Sequence, residues 1–266
     1  KKNFQFFIEK TPSFGKSFIC IDNSETKKLL KKIKTKNFLT YGFNNNANYQ
    51  IINVRKSLNY SRFDLKVKIL GKKTSLIKNI HLNLIGDHNI SNAAAAVAVS
   101  LNLGIKLNII NNALKKFSGI QRRFTKIFSI GKKDFYDDYA HHPTEIKALL
   151  KSIRQVYRRR KIISVFQPHR YSRVRQLKNE FASSFRLSDQ VVLCPIYSAG
   201  EKIDKNFSQD NFACLITKKS KVQVINVNNE VELFKFLKKN LFDDELVICM
   251  GAGSISNWIK DISTKL

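Results

Sequence analysis

From residue 125 onward the chain alternates between two rhythms, and that alternation restricts its fold more than any other feature. "DFYDDYA" reads as a strand, "PTEIKALLKSIRQVY" as a helix with Pro143 in its first turn, and "KIISVFQP" as a buried strand. A helix at about 172–187, the strand "QVVLCPIY", a helix near 208–216, the strand "KVQVINV", a helix near 229–240, the strand "ELVICMG" and a last helix follow. Strands separated by helices imply right-handed crossovers and a largely parallel sheet covered on both faces, a Rossmann-like α/β unit. In such sheets ligands gather at the carboxyl ends of the strands. The polar stretches Asp137–His142, Gln167–Arg173, Tyr197–Glu201 and Gly251–Ser254 all fall there, so four loops are expected on one rim.

The preceding part reads differently. "SETKKLLKKI" (24–33) has a helix-capping start, and "NFLTYGF", "NYQIINV", "RFDLKVKIL" and "IHLNLIG" are strand-like. From Asn89 an alanine-rich run favours helix and Gly104 stops it, before a second helix at about 107–117. With 266 residues to distribute, two units are expected, 1–124 and 125–266.

Composition narrows the classes. A hydrophobic fraction of 43% excludes wholesale disorder, and no apolar run reaches the roughly 18 residues of a membrane span. The opening residues lack the features of a secretory signal, and Cys20, Cys194, Cys214 and Cys249 form no CxxC pair, so reduced thiols in a cytoplasmic protein are expected. The net charge of +28 reads first as lysine-biased composition on a solvated surface. Assistance in holding polyanionic small molecules and a nucleic-acid footprint are the alternatives, and RNA-binding aromatic signatures and zinc-finger spacings are absent.

Three clusters carry candidate chemistry. In "QPHRYSRVR", Arg170 and Arg173 are three apart at a strand-to-helix turn, so both forked guanidiniums suit one carboxylate or phosphate; pairing with surface acids is the bland alternative. "DDYAHHPTE" packs Asp138, Tyr139 and His141 ahead of a helix, where a carboxylate can also serve as a cap; adjacent histidines rarely share one metal ion. "GDHNISN" sets His88, Asn89 and Asn92 at a helix start, with amides equipped to read a purine edge or to cap. In "GIQRRF", Arg122 and Arg123 are open to a phosphate contact or a surface salt bridge.

Together "GDHNISNAAAAVAV", "FSGIQRRF", "DDYAHHPTEI", "VFQPHRYSRVRQL", "IYSAGE" and "GAGSI" resemble, in order and spacing, the Mur ligases over essentially the whole chain. The resemblance implies the remainder of a central ATPase domain followed by a C-terminal Rossmann-like domain. It implies ATP-dependent ligation of L-alanine to UDP-N-acetylmuramate through an acyl phosphate, in peptidoglycan synthesis. Carried over by motif, His88, Asn89 and Asn92 would lie at the adenine, Asp138 at the ribose and Arg123 at the phosphates. Tyr139, His141, Arg170 and Arg173 would form the amino-acid pocket, with Arg123 and His141 as catalytic candidates. The resemblance implies ATP and Mg2+ as cofactors, no nucleic-acid partner and no membrane insertion, and it sets no oligomeric state.

Departures accompany it. No GxxGK[ST] phosphate loop and no acid-rich magnesium segment occurs in these residues, both being expected upstream; Ser198 and Ser254 replace the family's more usual residues. The expectation is the back half of such a ligase, inactive by itself. The competing readings are a non-catalytic fragment with residual nucleotide and amino-acid binding, and a basic nucleic-acid-binding protein.

Overall fold

The computed structural model describes all residues except Lys1, Lys36, Leu58, Asn59, Lys72, Asp243 and Leu266. The chain divides into two compact units, Lys1–Ser118 and Gly119–Leu266. The "GIQRR" stretch therefore belongs to the second unit.

The first unit runs α1 (Lys2–Glu9), β1 (Ser17–Cys20), α2 (Ser24–Leu30), β2 (Phe38–Gly42), β3 (Tyr49–Lys56), β4 (Ser61–Val67), β5 (Ser75–Leu82), α3 (Asp87–Asn102) and α4 (Leu107–Lys116). Its five strands lie in sequence order, with β1, β2 and β3 parallel and β3, β4 and β5 antiparallel. Ile90, Ala93, Ala94, Val97 and Ala98 of α3 are buried with Ile51, Phe63, Leu65 and Ile80 of the sheet. The alanines on that stripe allow the helix to approach the strands closely, while their high helix propensity supports the same segment locally. "IHLNLIG" was expected as a strand, but β5 begins at Ser75 and ends at Leu82, leaving Ile85 and Gly86 to turn into α3.

The second unit runs β6 (Thr125–Ile130), β7 (Lys133–Asp138), α5 (Pro143–Val156), β8 (Lys161–Phe166), α6 (Tyr171–Gln176), α7 (Lys178–Ala182), β9 (Gln190–Leu193), α8 (Gln209–Ser220), β10 (Gln223–Asn226), α9 (Glu230–Asn240), β11 (Glu245–Met250) and α10 (Ile255–Ser263). The strand order is β10-β9-β8-β11-β7-β6, parallel throughout except for antiparallel β6 at one edge. Two-residue periodicity divides the central strands between two cores. Ile162 and Phe166 of β8 and Leu246, Ile248 and Met250 of β11 meet α5, α7 and α8 on one face. Ile163, Val165, Val247 and Cys249 meet α9 and α10 on the other. The helix expected over 172–187 is broken at Leu177, whose φ and ψ of −116° and 24° separate α6 from α7, and α7 ends at Ala182. No helix among the described residues is long and apolar enough to cross a membrane.

Candidate functional site

The parallel register brings the carboxyl ends of β7, β8, β9 and β11 to one rim, and the loops leaving them interlock. The peptide N–H of Gln167, after β8, donates to the Met250 carbonyl (2.9 Å), and that of Gly251 to the Asp138 carbonyl (3.1 Å). Gln167 then holds the β11–α10 turn, accepting from the Ile255 N–H at 3.0 Å and donating to Ser254 Oγ at 3.0 Å. Glycine is required there: a Cβ on Gly253 would stand 2.5 Å from both Gln167 Oε1 and Tyr197 Cγ.

On this rim four rings form a row. Tyr139 packs edge-on against His141 (centroids 5.0 Å), His141 against His169 (5.6 Å), and His169 stacks on Tyr197 (5.6 Å). His141 Nδ1 lies 2.8 Å from the Tyr139 carbonyl and 3.4 Å from Glu145 Oε2, both acceptors, so the proton belongs on Nδ1 and in the neutral ring Nε2 is left to accept. His142 has a separate duty as the N-cap of α5: it accepts from the Thr144 N–H, and Glu145 accepts from the N–H groups of His141 (3.0 Å) and His142 (3.2 Å). The two adjacent histidines are thus divided between rim and cap.

Arg173 Nη1 is 3.4 Å from His169 Nδ1, whereas the Arg170 guanidinium is exposed. Burial and the nearby charges of Arg173, His141 and Arg170 hold the His169 pKa below the usual imidazole value. Among the described residues no carboxylate lies within salt-bridge distance of Arg170 or Arg173. Hydrogen bonds from the Ser172 hydroxyl and N–H, with the nearby Arg170 charge, hold the Glu201 pKa below the usual carboxylate value.

Asp138 ends β7 and is 5% exposed. Its oxygens accept from the Phe124 and Ala140 N–H groups, each at 2.7 Å, leaving further lone pairs for a ligand hydroxyl. Burial, aided by the Asp137 charge, outweighs those hydrogen bonds and Arg123 and pushes its pKa up to about 6. Arg123 is exposed, and its guanidinium sits 5.7 Å from the Tyr139 ring centroid. Arg122 turns inward: Nη2 donates to the Gly251 carbonyl at 2.6 Å, Nε is 3.6 Å from Asp137, and the guanidinium lies over Tyr139 at 4.8 Å.

Backbone strain concentrates here. Arg122, Phe124, Arg170 and Ala199 have φ of 62°, 51°, 70° and 50°, conformations that cost such residues on the order of 1–2 kcal/mol each. At Arg170 the price is met by its N–H donating to the Tyr197 carbonyl at 2.9 Å, which fixes the direction of the side chain.

Arg123, Asp138, Tyr139, His141, Arg170 and Arg173 are therefore gathered on one rim of the second unit. His88, Asn89 and Asn92 lie in the first turns of α3 in the first unit. Gly86, not an asparagine, is the α3 N-cap; Asn89 donates to the Ile85 carbonyl at 2.8 Å, leaving its amide oxygen and one N–H, and Asn92 is exposed. His169, Gln167, Tyr197 and Glu201 lie on the rim where the strand ends "QPHRYS" and "IYSAGE" put them, but the sequence assigned none of the four an individual role. Among the described residues no group of three or more His, Cys, Asp or Glu is arranged to hold a metal ion.

The row of aromatic rings and the two arginines stand at the strand ends of a mostly parallel sheet in an α/β domain, and similarity defines its kind. The Mur ligase glutamate ligase domain matches residues 122–253 and the Mur ligase middle domain matches residues 1–100. The chain belongs to the Mur ligase family. It is 50% identical over 262 residues to a UDP-N-acetylmuramate–L-alanine ligase of Pelagibacter ubique, covering 98% of this chain and 56% of that protein. It is 35% identical over 266 residues to the ligase of the same name from Cereibacter sphaeroides strain ATCC 17029, covering 100% of this chain and 56% of that protein. A crystal structure of a UDP-N-acetylmuramate–alanine ligase from Thermotoga maritima shares the fold, with a TM-score of 0.69 at 24% identity over 98% of this chain and 61% of that one. The chain thus spans little more than half the length of the curated relatives it matches.

Proposed function

We propose that this chain supplies the amino-acid pocket and part of the nucleotide-contacting surface of an ATP-dependent ligase that joins L-alanine to UDP-N-acetylmuramate, a cytoplasmic step of peptidoglycan synthesis. The observation that carries the reading is the pair Arg170 and Arg173, in no salt bridge among the described residues, beside the Tyr139–His141–His169–Tyr197 row. A small amino acid offers one carboxylate to such a pair and one amine to a neighbouring base. Arg170 and Arg173 hold the carboxylate through charge-assisted hydrogen bonds, and the rings border the space beside it. His141 Nε2, left as an acceptor by the Nδ1 contact, takes a proton from the alanine ammonium.

ATP, when bound, supplies the phosphoryl group that activates the muramate carboxyl as an acyl phosphate. The alanine nitrogen would then form the amide C–N bond as the carbon–oxygen bond to phosphate breaks, its remaining surplus proton leaving with the phosphate. In the second unit Arg123 would offset charge on the phosphates and Asp138 would accept from ribose hydroxyls; in the first unit Asn89 and Asn92, with His88 beside them, would contact an adenine. The donor set fits ATP in part: it provides amides, a buried carboxylate and an exposed guanidinium. No step here is assigned to magnesium.

The test is phosphate release from ATP by this chain and by the full product of its gene, omitting UDP-N-acetylmuramate and L-alanine in turn, with the product weighed by mass spectrometry. Release that requires both, with a product heavier than UDP-N-acetylmuramate by one alanine residue, is expected of the full product. Release indifferent to alanine would refute the proposal.

A further inference from the structure

The two arginines of "GIQRRF" look interchangeable in sequence, and the structure separates them. Arg123 is exposed. Arg122 is fastened at four points: Nη2 to the Gly251 carbonyl at 2.6 Å, Nε facing Asp137 at 3.6 Å, the guanidinium over the Tyr139 ring, and its own carbonyl accepting from the Tyr139 N–H at 2.7 Å. Those contacts reach the end of β7, the Tyr139 loop and the end of β11.

We infer that Arg122 is a positioning residue: it fastens the segment 119–124 to the strand ends of the second unit and thereby sets where Arg123 and the Tyr139 ring stand. The inference rests on the ligase reading for its kinetic consequence and on geometry alone for the clamp. Asp137 is an immobile anchor, 1% exposed and accepting from the Ser256 hydroxyl at 2.5 Å. The connections also close on themselves. Arg122 donates to the Gly251 carbonyl, the Gly251 N–H donates to the Asp138 carbonyl, and Asp138 Oδ2 accepts from the Phe124 N–H, two residues beyond Arg122. Arg123 is therefore spanned by a closed ring of hydrogen bonds, and the residues on either side of it are the two with positive φ. With the guanidinium removed, the strained backbone relaxes toward extended conformations and Arg123, whose side chain packs on Tyr139, loses its fixed starting point.

The experiment compares the full product of the gene with the R122Q/D137N and R122K variants. Changing both members of the pair leaves no buried charge without its partner. A cooperative urea transition followed by far-ultraviolet circular dichroism verifies folding of the full product, and Trp258, the single tryptophan of these 266 residues, reports on the second unit when this chain is tested by itself. Hydrogen exchange is followed in peptides covering 119–125 and 137–140, and steady-state ligation is measured beside it. For R122Q/D137N we expect a folded protein, exchange at Arg123 and Tyr139 faster by roughly tenfold, and kcat lower by roughly 10–100-fold. R122K is expected to restore neither, since one ammonium cannot replace a fork that spans Gly251 and Asp137. A folded double variant with the parent's exchange rates overturns the clamp. Faster exchange with the parent's kcat overturns the positioning role. Should the parent itself not join alanine to UDP-N-acetylmuramate, the ligase reading falls, and the exchange measurement still decides the clamp.

Discussion

Asp138→Asn converts the buried carboxylate at the end of β7 into a neutral isostere, and its effect depends on pH in a way the structure fixes. Burial raises the Asp138 pKa from its ordinary 3.8 to about 6. A carboxyl group whose folded pKa is raised binds its proton more tightly in the native state than in the unfolded chain. Below pH 3.8 it is neutral in both and costs nothing; between 3.8 and 6 the unfolded state ionises first, and above 6 the native state carries the whole penalty, about 3 kcal/mol. Asparagine removes that penalty. It also sets an NH2 group against one of the two backbone N–H donors of Phe124 and Ala140, a loss of about 1–3 kcal/mol that does not vary with pH. The difference between variant and parent should therefore move in favour of the variant by about 2 kcal/mol between pH 4.5 and pH 8. Other titrating groups cancel in this comparison. Urea unfolding followed by Trp258 fluorescence isolates the second unit, since α10 packs into its core and no other tryptophan exists. A difference constant across that range would show that the Asp138 carboxyl is not destabilised by burial.

Three further expectations follow, two from the rim and one from the first unit. Arg170→Ala should raise the Michaelis constant for alanine by roughly 10–100-fold, the loss of one charge-assisted hydrogen bond, with a smaller change in kcat; unchanged alanine kinetics would remove Arg170 from the pocket. Gly253→Ala should destabilise the second unit by about 1–3 kcal/mol, because the added methyl meets Gln167 and Tyr197, and Trp258 unfolding curves coincident with the parent's would contradict the packing. Gly42→Ala should harm the first unit in the same way, its Cβ falling 2.5 Å from Asp22 Oδ1; urea unfolding followed by far-ultraviolet circular dichroism measures it.

Much of the second unit was legible because its strands are buried on both faces and bounded by helices with distinct caps, a pattern that local sequence displays. Antiparallel β6 was not read, since "TKIFSI" is short, half polar and stabilised by pairing with β7, a contact invisible in its own residues. Helix α1 and strand β1 were missed for a similar reason: β1 has four residues and is defined by its pairing with β2. The break at Leu177 was not legible, because Val174 and Phe181 enter one core at the seven-residue spacing that an unbroken helix would also give. At the site, residue types and strand-end positions pointed to Asp138, Tyr139, His141, Arg170 and Arg173. The roles of Arg122 and His142 were not legible, because a guanidinium reaching Gly251 and a histidine serving as an N-cap depend on backbone geometry rather than on spacing.

The hydrogen bond from Phe124 to Asp138 bears on where this chain can be cut. A fragment starting at Gly119 retains the donor that meets the buried carboxylate, the Phe124 ring stacked 4.1 Å from Tyr136, and the guanidinium that ties β11 to β7. One starting at Thr125 begins with an intact strand yet loses all three, exposing Tyr136 and leaving Asp138 a single backbone donor. For anyone expressing the second unit alone, the serviceable boundary is thus set by six residues outside the regular secondary structure, because they complete the wall of the fold they precede.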